Sequence, residues 1–139
     1  MEINKVCVLG GSGFVGRHLV SKLHERGYSV SVPYRNINHA KHLSVLPTVT
    51  LVEADIHDPA VLRSLFQGMD AVINLVGTLH EGKRGAFQRA HVDLPRKVVE
   101  AIKAGAAQCW TLDVKPQRLF EGNREPGFKA SMQTKDLNI

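Results

Sequence analysis

The chain has 139 residues, 43% hydrophobic and 22% charged, the make-up of one ordinary globular domain with room for a real core. No apolar run approaches the roughly 20 residues of a membrane span. The net charge of +5 would suit an anionic partner, but the basic residues are scattered, their densest cluster is the short EGKRG at 81–85, and no RNA-binding signature or aromatic-interleaved basic stripe appears, so nucleic acid is excluded as the expected partner.

The opening MEINKVCVLGG carries Glu2 and turns apolar only briefly, so no secretory signal is expected. Residues 3–10 (INKVCVLG) are β-branched and apolar and stop at glycine, which predicts a buried strand. Cys7 lies within it as a small hydrophobe. With Cys109 as the other cysteine, neither a disulfide framework nor a zinc site is expected, and a reducing, cytoplasmic compartment fits. Residues 14–26 place Val15, Leu19, Val20 and Leu23 along one helical face, with Gly27 as the stop. SVSVPYR (29–35) predicts a second strand that ends or bends at Pro33. A short helix is expected over 38–46. Its His39 and His42 have no acid or cysteine partner, so no metal is expected. TVTLVEAD (48–55) predicts strand three. A helix over 59–68 comes next, with Asp58 as N-cap and Pro59 in its first turn. DAVINLVG (70–77) predicts strand four. From 86 to 104, Phe87, Ala90, His91, Leu94, Val98, Ala101 and Ile102 recur at helical spacing, and Pro95 should kink that helix near His91. CWTLDV (109–114) reads as a fifth strand and KPQRLFEGNREPGFKA as irregular loop.

Strands alternating with helices predict an α/β fold: a Rossmann-like doubly wound parallel sheet of order 3-2-1-4(-5). The pattern Gly10-Gly11-Ser12-Gly13-Phe14-Val15-Gly16 sits between the first strand and the first helix, the setting a dinucleotide loop requires. Gly10 would allow the sharp turn, Gly13 would leave room for a pyrophosphate, and Gly16 would let the helix pack closely on the sheet. The helix N-terminus would offer free N–H groups and partial positive charge. No acid occurs between Glu25 and Glu53, so the acid that usually holds an NAD ribose at the end of strand two is missing. That strand ends Tyr34-Arg35 instead, and Arg35 can pair with a 2′-phosphate, so NADP(H) is expected in preference to NAD(H). Arg17 and Asn36 are neighbouring candidates for phosphate or ribose contacts. Asp55, at the end of strand three, can accept from an adenine amino group or cap the next helix, a role Asp58 could equally fill. Gly77 would let the backbone approach the cofactor after strand four.

VLGGSGFVGRHLV, VPYR, EADIHD, DAVINLVG and HVDLP together resemble the extended and atypical short-chain dehydrogenase/reductases, over about residues 3–105. The branch they resemble is labelled NAD-dependent epimerase/dehydratase and includes the nucleotide-binding accessory subunit of respiratory complex I. The resemblance implies that Gly10, Gly13 and Gly16 hold the pyrophosphate, with Gly11, Ser12, Phe14 and Val15 in the same loop. It implies Arg35 beside Tyr34 on the 2′-phosphate, Asp55 between Ala54 and Ile56 on the adenine, and Val76 and Gly77, after Leu75, beside the adenine ribose. It also implies peripheral association with a respiratory complex at the inner membrane.

Catalytic members of that superfamily carry Tyr-x-x-x-Lys, the Lys lowering the pKa of a Tyr that acts as general acid and base. The only tyrosines here are Tyr28 and Tyr34, with Val32 and Asn38 four positions on, so the motif is absent. No catalytic residue is assigned. Ser12 and Thr78 have no paired base in view, and His80 reads as an exposed loop residue. Residues 1–105 are expected to form the nucleotide-binding domain and 106–139 a poorly matched tail opening a missing C-terminal half. A half-sheet would expose an apolar edge and favour a homodimer. Two functions fit: a dinucleotide-binding protein without catalysis, or a fragment of an oxidoreductase or sugar-nucleotide epimerase whose catalytic residues lie elsewhere.

Overall fold

A computed structural model describes residues 3–77, 84–105 and 110–113. The expectations for Thr78, His80, Cys109, the loop after 114 and most of the EGKRG cluster fall outside these residues.

Five parallel strands make one sheet in the order β3-β2-β1-β4-β5. They are β1 (Lys5–Leu9), β2 (Ser29–Tyr34), β3 (Val49–Glu53), β4 (Ala71–Asn74) and β5 (Trp110–Asp113). The expected order holds, including the fifth strand. Alternation along β1 builds both layers. Val6 and Val8 pack with Val20 of helix α1 (Phe14–Glu25), while Cys7 and Leu9 pack with Leu62, Leu65 and Phe66 of α3 (Pro59–Phe66). Helix α5 (Leu94–Gly105) covers the second face through Leu94, Val98, Ala101 and Ile102, all buried, the i, i+4, i+7, i+8 stripe expected of an amphipathic helix.

Pro33 neither ends nor bends β2, contrary to expectation. Val30 N–H donates to Thr48 O and Ser29 N–H to Asn4 O, so even residues of β2 bond toward β3 and odd ones toward β1. Pro33 therefore turns its missing donor toward β1, where the ladder stops at Ser31, while pairing with β3 runs on to Tyr34. The proline opens the β1–β2 seam at the carboxyl edge of the sheet, beside the glycine loop.

Three helical expectations are corrected. The helix expected over 38–46 is one turn, α2 (Ile37–Ala40), followed by a 3-10 turn, Lys41–Leu43, and Val45 is 77% exposed. Val15 is 56% exposed, so the inner face of α1 consists of Gly16, Leu19, Val20 and Leu23. The helix expected over 86–104 is interrupted. It comprises α4 (Ala86–Gln88), a π-helical turn at Arg89–Asp93, and α5. Pro95 is the cause. It cannot donate to the carbonyl of His91, and the wider turn absorbs its ring where a kink was expected.

The Asp70 carboxylate accepts the Asn4 and Lys5 N–H groups, both at 2.9 Å, and so ties the turn before β4 to the start of β1. These two hydrogen bonds, then the Lys5 charge, hold its pKa below the ordinary aspartate value. A depressed carboxylate pKa contributes stability that is present above the unfolded value, about 3.9, and is lost as pH falls through the folded one. Asp70→Asn is therefore expected to unfold more readily in urea than wild type at neutral pH. The gap should close as pH falls below about 4. A gap that stays constant across that range would contradict the pin.

Candidate dinucleotide site

The site lies at the carboxyl edge of the sheet, where the chain leaves β1 toward one face and β4 toward the other, the switch point at which doubly wound folds bind ligands. Gly10 turns off β1 at φ +76°, and a Cβ there would come within 3.0 Å of the Leu75 carbonyl carbon and the Val76 nitrogen. Two chain segments thus meet backbone to backbone, closed by Leu75 N–H donating to Leu9 O at 2.9 Å. Gly16 is tighter still. A Cβ would overlap Gly10 O and lie 2.6 Å from Gly11 Cα, so this glycine packs α1 onto the loop itself rather than onto the sheet. At Gly11 a Cβ would press on Val32 and Val20.

Gly13 differs from these. It is exposed, at φ −74°, and a Cβ would meet only Gly10 O at 3.3 Å. It is the N-cap of α1, with no side-chain cap bond and no acid in the first turn. The N–H groups of Phe14, Val15 and Gly16 therefore begin a helix that no side chain among the described residues caps, and a bare-backbone cradle of this kind fits a pyrophosphate. Phe14, 72% exposed, meets the His18 ring edge-on and carries the Arg17 guanidinium 5.2 Å above its ring, which holds a positive charge at the lip of the loop.

The second part is a cleft of about 280 Å³ lined by Tyr34, Arg35, Glu53, Ala54 and Asp55. Of the predicted residues, the structure brings Tyr34, Arg35, Ala54 and Asp55 together here. β3 ends at Glu53, so Asp55 stands two residues past the strand rather than at its end. Its Oδ1 accepts the His57 N–H at 3.0 Å, while Asp58 caps α3 by accepting from Ala60 N–H at 2.9 Å. The capping duty thus falls to Asp58. The His57 N–H, followed by the charges of Arg35, His57 and Arg89, lowers the Asp55 pKa. Asn36 is already engaged, its Oδ1 capping α2 through Asn38 N–H. Ile56 is half-buried and packs against the α3/α5 core rather than lining the cleft. Leu75, Val76 and Gly77 come after β4, whose last residue is Asn74.

Three further residues shape the site without a strong sequence signal. Asn74 is 2% exposed and its Oδ1 accepts Val76 N–H at 3.1 Å, shaping the backbone that abuts Gly10. A lone amide in an apolar strand is the signal available for it. His57 has a buried Nδ1 with no hydrogen-bond partner among the described residues, and Lys97 Nζ donates to its carbonyl at 2.9 Å. Burial first, then the Arg89 charge, lowers its pKa and so favours the neutral ring. Glu53 lines the cleft through strand pairing that no local sequence pattern discloses. Among the described residues no group of three or more His, Cys, Asp or Glu could hold a metal, and no helix is long and apolar enough to cross a membrane.

The unequal glycines are testable. Gly16→Ala should lower stability by about 1–3 kcal/mol, the usual range for forcing a methyl into a packed site. Gly13→Ala should lower it less. Equal losses in urea unfolding would contradict the packing described.

Comparison with known proteins agrees with this geometry. Over 105 residues the chain is 32% identical to the mouse mitochondrial NADH dehydrogenase [ubiquinone] 1 alpha subcomplex subunit 9, covering 73% of this chain and 28% of that protein. It is 36% identical over 87 residues to dihydroflavonol 4-reductase of Dianthus caryophyllus, covering 53% and 24%. The chain thus spans about a quarter of the length of these relatives. The solved structure of Pen from Bacillus thuringiensis shares the fold, with a TM-score of 0.65 at 17% identity over 73% of this chain and 34% of that one. The NAD dependent epimerase/dehydratase family matches over residues 6–114, past the point where the sequence resemblance ends. With that match, the switch-point crevice and the glycine cradle, the chain belongs to the NAD-dependent epimerase/dehydratase family.

Proposed function

We propose that this chain binds a nicotinamide dinucleotide across the switch point and prefers NADP(H) to NAD(H). The observation that carries the reading is the uncapped start of α1, set beside a cleft that contains Arg35. Gly10, Gly11, Ser12, Gly13, Phe14, Val15 and Gly16 hold the pyrophosphate. Arg35 and Tyr34 hold the 2′-phosphate, Ala54 and Asp55 the adenine, with Ile56 behind them in the core, and Leu75, Val76 and Gly77 the adenine ribose. When bound, the cofactor supplies a hydride donor or acceptor. The residues of this chain bind and orient it, because no Tyr-x-x-x-Lys is present to move a proton. Residues 1–105 together with β5 (Trp110–Asp113) act as the nucleotide-binding domain.

Two specific observations bear on context. The mouse relative is named as a subunit of mitochondrial NADH dehydrogenase, which supports peripheral attachment to a respiratory complex. The Dianthus relative is named as a reductase, which supports the second reading, a part of an oxidoreductase whose catalytic residues lie outside this sequence.

Isothermal titration tests the cofactor reading. Wild type should bind NADPH more tightly than NADH, and Arg35→Ala should weaken NADPH binding by about 10- to 100-fold, the range for losing a hydrogen bond to a charged group. NADH binding should change little. Equal wild-type affinities, or an unchanged mutant, would contradict the 2′-phosphate role.

A further inference from the structure

The expectation of NADP(H) rests partly on a missing acid: none occurs between Glu25 and Glu53. The sheet supplies one from another strand. β2 and β3 pair in register with Tyr34 opposite Glu53, so an acid from the neighbouring strand stands about 4.8 Å across the ladder from the residue before Arg35. Glu53 is exposed and lines the same cleft as Arg35. The cleft has a volume of about 280 Å³. Among the described residues its charged groups are one guanidinium and two carboxylates.

The carboxylates are not equivalent. Asp55 Oδ1 already accepts the His57 N–H. Glu53 makes no hydrogen bond or ion pair with the described residues, and Arg35 forms no ion pair within 4.0 Å among them. One carboxylate without a hydrogen bond among the described residues thus shares the cleft with a guanidinium whose charge already acts on Asp55.

We propose that Glu53 is the specificity-determining counterpart of Arg35, accepting the ribose 2′-hydroxyl of NAD(H) and repelling the 2′-phosphate of NADP(H). The inference rests on the cofactor reading above, because it places the adenosine ribose in this cleft. A 2′-hydroxyl donates to a carboxylate, the pairing that acid-bearing dinucleotide sites use. A 2′-phosphate only accepts at neutral pH, so it gains from Arg35 and loses to Glu53. Selectivity becomes a difference between two opposed side chains, and removing one moves it in the opposite direction from removing the other.

Titration of NADPH and NADH into wild type, Glu53→Gln and Arg35→Ala separates the possibilities. Glu53→Gln keeps the shape, removes the charge, and should tighten NADPH by about 5- to 20-fold, the scale of a like-charge contact at a wet surface, while weakening NADH. Arg35→Ala should move the ratio the other way. If Arg35→Ala behaves as expected and Glu53→Gln leaves the NADPH-to-NADH ratio unchanged, this inference is overturned and the cofactor reading stands. If wild type binds neither dinucleotide, both fall together.

Discussion

The structure depends on a place where side chains are forbidden. At Gly10 the turn leaving β1 lies against the Leu75–Val76 backbone leaving β4, and at Gly16 the first turn of α1 lies against the loop itself. A Cβ at Gly16 would overlap the loop, and one at Gly10 would crowd the backbone at a positive φ that side chains rarely adopt. The helix that this close packing seats beside the loop starts at Gly13 without a side-chain cap. Asn74 supports the arrangement from below, its buried amide fixing the Val76 N–H in the segment that abuts Gly10. The two apolar layers hold the strands in register on either side. Burying a side chain such as Phe66 or Leu62 contributes roughly 1.5–3 kcal/mol each.

Proline has two separate consequences. Pro33 frees the β1–β2 seam of its last hydrogen bond at the edge where the glycine loop turns, while β2 continues far enough to deliver Tyr34 and Arg35 to the cleft. Pro95 widens the turn at Arg89–Asp93 so that α5 still lays Leu94 and Val98 on the core. The charge of Arg89 is then felt at both Asp55 and His57, so this turn shapes the electrostatics beside the cleft.

Much of the fold is legible in the sequence because it arises from local chemistry. Apolar strands, glycine stops, the Asp58 cap and the loop between β1 and α1 are each decided by neighbours a few residues apart, and the strand order is set by the alternation of elements. The features that local chemistry does not disclose are decided by pairing between strands. Glu53 lines the same cleft as Arg35 because β3 pairs with β2 to its end, with Tyr34 opposite Glu53. Pro33 misleads a local reading because the side of β2 that loses a donor depends on which neighbour ends first. Val15 falls on the helical period of the core but sits in the first turn of α1, where it stays 56% exposed. The family relationship is legible in the motifs around the glycine loop and the strand ends, whereas the proposed cofactor preference rests on one exposed cleft and its charges.

If the bare-backbone start of α1 holds a dinucleotide phosphate, a proton–nitrogen correlation spectrum of the chain titrated with NADPH shows it most directly. The amides of Phe14, Val15 and Gly16 should shift together with those of Arg35, Asp55 and Val76 and saturate at one concentration. Saturating NADPH that moves none of the three loop amides would contradict it.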